Sequence, residues 1–83
     1  MQPKLVVHCE NKAEVKELLG SLERLNFKWN GDGLHPTKIK ANVGNYIHIY
    51  CNEFGNVLRY SSKCDKAYKE FSSIKDNLRE LLR

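Results

Sequence analysis

Eighty-three residues, 41% hydrophobic and 29% charged, make a single domain near the lower limit for a chain that folds without staples. Fourteen Lys and Arg against ten Asp and Glu give a formal charge of +4, a mildly basic balance that favours anionic partners without specifying one. No apolar run approaches the roughly 20 residues that span a bilayer. Met1-Gln2-Pro3-Lys4 leads straight into a strand-like run rather than a secretory signal, so the expectation is a soluble, cytoplasmic protein with no membrane partner.

In chain order, Lys4-Leu5-Val6-Val7-His8-Cys9 is a short β-branched run and reads as a strand. Asn11 then stands three residues before Glu14, the spacing of a capping box. Val15, Leu18, Leu19, Leu22 and Leu25 follow at helical spacing and predict one apolar stripe. Gly20 costs that helix about 1 kcal/mol relative to Ala, and is either tolerated or there to allow close approach to a sheet. Phe27-Lys28-Trp29 switches the period to two, so the helix ends near Asn26. Trp29 is expected to plug the core at the end of the sheet, ahead of the turn signal Asn30-Gly31-Asp32-Gly33.

From there to Asn45 little regular pattern exists. Thr37-Lys38-Ile39-Lys40-Ala41 alternates and reads as a short edge strand, where lysines equally serve ligand binding or protection against edge-to-edge pairing. Tyr46-Ile47-His48-Ile49-Tyr50-Cys51 and Val57-Leu58-Arg59-Tyr60-Ser61 form a β-hairpin around a Gly/Asn-containing link. A four-residue loop at 53–56 would place Tyr50 opposite Arg59, His48 opposite Ser61, Tyr46 opposite Lys63, Ile49 opposite Tyr60 and Cys51 opposite Leu58. Phe54 at the tip is either folded back or an anchor. Two readings remain for the end of the chain. In one, Asp65 caps a helix carrying Tyr68, Phe71, Ile74, Leu78, Leu81 and Leu82. In the other, which accommodates the consecutive serines better, Tyr68-Lys69-Glu70-Phe71 is a strand and Ser72 or Ser73 caps the final helix.

This order predicts an α+β two-layer sandwich, a mostly antiparallel sheet of 3–5 strands with two helices on one face. The helices would cover Val6, Ile47, Ile49, Leu58 and Tyr60. The other face would stay wet and carry Tyr46, His48 and Tyr50. With Arg59 and Lys63 beside them and Lys38 and Lys40 nearby, these residues form the candidate binding surface.

Three cysteines, Cys9, Cys51 and Cys64, are odd in number and read as free thiols. Zinc is the sharper alternative because His8, His35 and His48 are present. No Cys-x-x-Cys or His-x-x-x-His spacing occurs, and His8 and Cys9 would point to opposite faces, so no metal or cofactor is expected. Catalysis is not expected either. His48 and Cys51 alternate to opposite faces, and no P-loop ending or carboxylate cluster is present.

The order Asn11-Lys12-Ala13-Glu14-Val15-Lys16-Glu17-Leu18-Leu19, then Leu22-Glu23 and Asn26-Phe27-Lys28-Trp29 with Gly31, resembles small proteins encoded by bacteriophages and prophages. The resemblance spans about residues 5–61 and includes the Ile47-His48-Ile49 hairpin strand. It implies an accessory protein of the host cytoplasm. Such proteins often bind and disable host factors, CRISPR effector nucleases and other defence proteins among them.

Two binding functions follow. The first is a non-catalytic module that docks a host protein, or a second copy of itself, through Tyr and Arg, residue types enriched at interface hot spots. Glu10, Glu14 and Glu17 would alternatively enter the basic groove of a nucleic-acid enzyme, although the helix dipole alone favours acids there. The second is single-stranded nucleic-acid binding, with the tyrosines stacking on bases and the lysines on phosphates. Capture of a signalling nucleotide by Lys38, Lys40 and the tyrosines of an oligomer is the remaining reading.

Overall fold

The computed structural model describes residues 2–30, 33–38, 44–52 and 55–82. After strand β1 (Leu5–His8), helix α1 (Lys12–Arg24) begins at Asn11, whose side chain accepts from the Glu14 amide at 2.9 Å. The Glu14 carboxylate reaches back to the Glu10 amide at 2.8 Å, so the capping box closes one residue upstream of the cap. At the other end Asn26 takes a left-handed φ of 68°. The Phe27 amide donates to the Leu22 carbonyl and the Asn26 amide to that of Glu23, which together make a Schellman motif. Phe27 thereby folds back onto Leu22 in the core. A Cβ on Gly20 would meet nothing within 4 Å, so this glycine is tolerated and serves no close approach.

The chain continues through β2 (Lys28–Trp29), β3 (Tyr46–Asn52), β4 (Gly55–Ser61) and β5 (Lys69–Glu70). It closes with α2 (Phe71–Ile74), a single 3-10 turn (Lys75–Asn77) and α3 (Leu78–Leu81). The five strands form one sheet in the order β2-β4-β3-β1-β5. The inner pairs β1–β3 and β3–β4 are antiparallel, while the two edge strands join in parallel, so the sheet is mixed. This is an α+β fold with helices on one face, and the same cluster holds Val15, Leu18, Leu19 and Leu22 with Phe71, Ile74 and Leu78 against Val7, Ile47, Ile49 and Leu58. Burying each such side chain contributes about 1.5–3 kcal/mol.

The hairpin differs from the expected register. Asn52 pairs with Gly55, so the link has two residues rather than four, and Tyr50 lies opposite Val57, His48 opposite Arg59 and Tyr46 opposite Ser61. Ile49 faces Leu58 rather than Tyr60, and Cys51 faces Asn56 rather than Leu58. A slip of two preserves every side chain's face because strand alternation has period two. Tight links are also the commonest way to join two antiparallel strands.

Three further expectations are corrected. Val6 lies on the face away from the helices, opposite His48, and Tyr60 reaches the edge of the core face with 39% exposure. Thr37 and Lys38 lie in a turn rather than an edge strand; Ile39, Lys40 and Ala41 fall outside the described residues, as does Phe54. The second parse of the C-terminal segment holds in its order, but the strand is only Lys69–Glu70, Phe71 already opens the helix, Glu70 occupies the cap position and Ser73 Oγ instead donates to the Glu70 carbonyl at 2.8 Å. Trp29 does plug the core, with 3% exposure.

Residues 62–68 must connect β4 to β5, which lies beyond β3 and β1 and runs parallel to β4. The β1-α1-β2 unit crosses β3 and β4 in one direction over the core face, and residues 62–68 return the other way. Crossovers between parallel strands are right-handed. Reversing the direction while keeping the hand requires the opposite face, and residues 62–68 lie there as a strap. Val6 is accordingly buried, at 4% exposure, without belonging to the core cluster, and it shares a groove with Lys66, Ala67 and Tyr68.

Candidate functional site

Strand alternation sets Tyr46, His48 and Tyr50 of β3 on the face away from the helices, joined by Val6 and His8 of β1 and Arg59 of β4. Tyr46, His48 and Tyr50 are half-buried there, under the strap and their neighbours rather than under the helices. Arg59 lies over the Tyr50 ring, 5.7 Å from its centroid. His48 Nε2 stands 2.9 Å from Ser61 Oγ. Two of the three pairs expected on this face, Tyr50 with Arg59 and His48 with Ser61, therefore meet, as diagonal neighbours instead of direct partners.

The Ser61 hydroxyl donates to the Lys63 carbonyl at 2.7 Å, so its single proton is committed and its oxygen accepts from His48. Neutral His48 therefore carries its proton on Nε2. Burial first, and then the charges of Lys66 and Arg59, hold its pKa below the usual 6.5. Lys63 contributes its carbonyl to this chain, and its side chain is exposed.

A second group lies at the other end of the same face. His8 Nδ1 is 2.9 Å from a Glu70 carboxylate oxygen. The His8 ring sits 4.7 Å from Tyr46 and 5.6 Å from Tyr68, and Tyr46 meets Tyr68 edge-on at 5.2 Å. Burial, then the adjacent Tyr68, raise the Tyr46 pKa above 10. This cluster adds side-chain contacts to the backbone ladders that join β1 to β3 and to β5. Sequence reasoning missed Tyr68 and Glu70 because their neighbour in the sheet is β1, more than sixty residues away. The only available signal was the alternation of a 68–71 strand, which puts Tyr68 and Glu70 on one face.

Lys38 does not join this surface. Thr37 donates through its amide and its hydroxyl to Glu23 Oε1 of α1, at 3.2 and 2.6 Å, which anchors the turn at Lys38 to the helix layer. Those two bonds, and the nearby His35 and Lys38 after them, hold the Glu23 pKa below 4.5. Lys40 lies outside the described residues.

The three thiols are free. Cys9 is fully buried, and burial followed by Glu14 and Glu70 pushes it up to about 12, which suits a packing residue and not a nucleophile. Among the described residues no group of three His, Cys, Asp or Glu is placed to hold a metal ion. Nor is any helix among them long and apolar enough to cross a membrane. No family model, no curated protein and no solved structure matches this chain.

Proposed function

We propose that this protein is a non-catalytic binding module that docks a protein partner, as the phage-like sequence texture implies a host factor, through the face carrying Tyr46, His48, Tyr50, Arg59 and Tyr68. The observation that carries this reading is pre-ordering. Tyr50 is already held under Arg59, and Tyr46 is already engaged by His8 and Tyr68. Side chains immobilised before docking lose little further entropy on association, and Tyr and Arg are the types that dominate interface energetics. The test is affinity capture from a bacterial lysate with wild type, Tyr50→Ala and Arg59→Ala. A partner retained by wild type and lost by both variants is the expected result; identical captured sets contradict the reading.

One observation favours a second reading. Arg59 and Lys66 act together on His48, so the centre of the face is cationic beside an aromatic ring, the combination that binds single-stranded nucleic acid. The engaged Tyr46 ring weighs against it, since stacking needs a ring face open to a base. Titration of a labelled oligonucleotide at two salt concentrations separates the readings, because phosphate contacts weaken steeply with salt.

A further inference from the structure

The β5 edge of the sheet is incomplete. β5 ladders with β1 only at Val7 and His8, which leaves Leu5 and Val6 without a strand neighbour on that side. Alongside them runs a groove of about 470 Å³, within the usual range for ligand clefts, walled by Gln2 to Val6 on one side and by Lys66, Ala67, Tyr68 and Lys69 on the other. Pro3, Leu5, Val6, Ala67 and Tyr68 supply its apolar lining, and Tyr68 keeps 44% of its surface exposed at the rim. All three charged side chains that line it, Lys4, Lys66 and Lys69, are cationic.

We propose that this groove binds an extended acidic peptide segment of a protein partner, which lies beside Leu5 and Val6 where β5 stops. Its acidic side chains meet Lys66 and Lys69, and its alternate, apolar ones meet Val6 and Tyr68. Strand addition supplies affinity through main-chain hydrogen bonds and specificity through alternating side chains. The single sign of the lining lysines sets the sign of the partner. An open strand edge beside an apolar floor distinguishes a peptide from a nucleic acid, whose phosphodiester backbone offers acceptors but not the alternating N–H donors of a strand. The groove shares Val6, Lys66 and Tyr68 with the face described above, but it uses neither Tyr50 nor Arg59 and stands whether or not those two residues bind a partner.

The experiment is fluorescence anisotropy of the intact protein with a labelled peptide of three Asp-Val repeats, its Lys-Val counterpart, an Asp-Val peptide N-methylated at alternate amides, and a labelled oligothymidylate. Saturable binding of the Asp-Val peptide alone is expected, weakened at least about tenfold by the double variant Lys66→Glu/Lys69→Glu. Both lysines are exposed, so this variant retains the fold. Lys12→Glu/Lys16→Glu, on exposed positions of α1, makes the same change in net charge and is expected to alter binding by less than about twofold. Equal binding of the Lys-Val or N-methylated peptide overturns the proposal, as does binding of oligothymidylate alone, equal loss in both double variants, or no peptide binding at low salt.

Discussion

At the scale of single residues, Gly44 is the described glycine with the least room for a side chain. A Cβ there would run into the Ser61 carbonyl and come within 2.8 Å of the Ser62 amide nitrogen, backbone atoms that a rotamer change cannot move aside. Gly44→Ala is expected to destabilise the protein by about 1–3 kcal/mol, measured by urea denaturation. His48 is a residue whose charge state couples to folding near neutral pH. Its pKa is lower folded than unfolded, so below about 6.5 the unfolded chain takes up the proton first and stability falls as pH falls. The decline ends once the pH is below the folded value as well. Urea midpoints measured across this range are expected to drop in wild type and to lose that component in His48→Gln. The face of each β3 residue was legible from alternation alone, which is why Tyr46, His48, Tyr50 and Arg59 come together as expected. Lys38 was misplaced because what positions it is a bond from Thr37 to Glu23, fourteen residues earlier, that no local pattern announces.

At the scale of elements, α1 carries its own instructions: a side-chain cap at one end, a left-handed Asn at the other and an apolar stripe between. Asn11→Ala is expected to cost about 1 kcal/mol through loss of the cap. Gly20→Ala is expected to add about 1 kcal/mol, since the position is helical and a methyl group meets open space. Thermal denaturation of the two variants should therefore move in opposite directions. The hairpin was legible in its strands and faces but not in its register. A two-residue and a four-residue link satisfy the same alternation, and only the pairing of Asn52 with Gly55 distinguishes them. β5 was legible as an alternative to helix and no further, because two residues hold too little pattern to name a partner.

At the scale of the whole molecule, the fold depends on contacts that join the ends of the chain. Phe71 directly follows β5 and is buried in the same cluster as Val7 of β1 and the α1 leucines, so it fastens the C-terminal helical segment and the edge strand at once. Phe71→Ala is expected to cost about 3–5 kcal/mol by urea denaturation. The two-layer arrangement was legible because periodicity shows which elements are amphipathic. The strap was not, since it lacks a repeating pattern and its course over the far face follows from strand order and crossover hand.

The parallel pairing of β1 with β5 also gives the protein a direction of mechanical strength. Tension applied through residues before Leu5 and after Leu81 pulls these two neighbours past one another along their length. Their ladder, together with the His8–Glu70 contact, is then loaded in shear, with its bonds sharing the force. The β3–β4 hairpin, pulled open at Tyr46 and Ser61, would instead peel one pair at a time. Force along the chain thus passes through one of the two shortest ladders in the sheet.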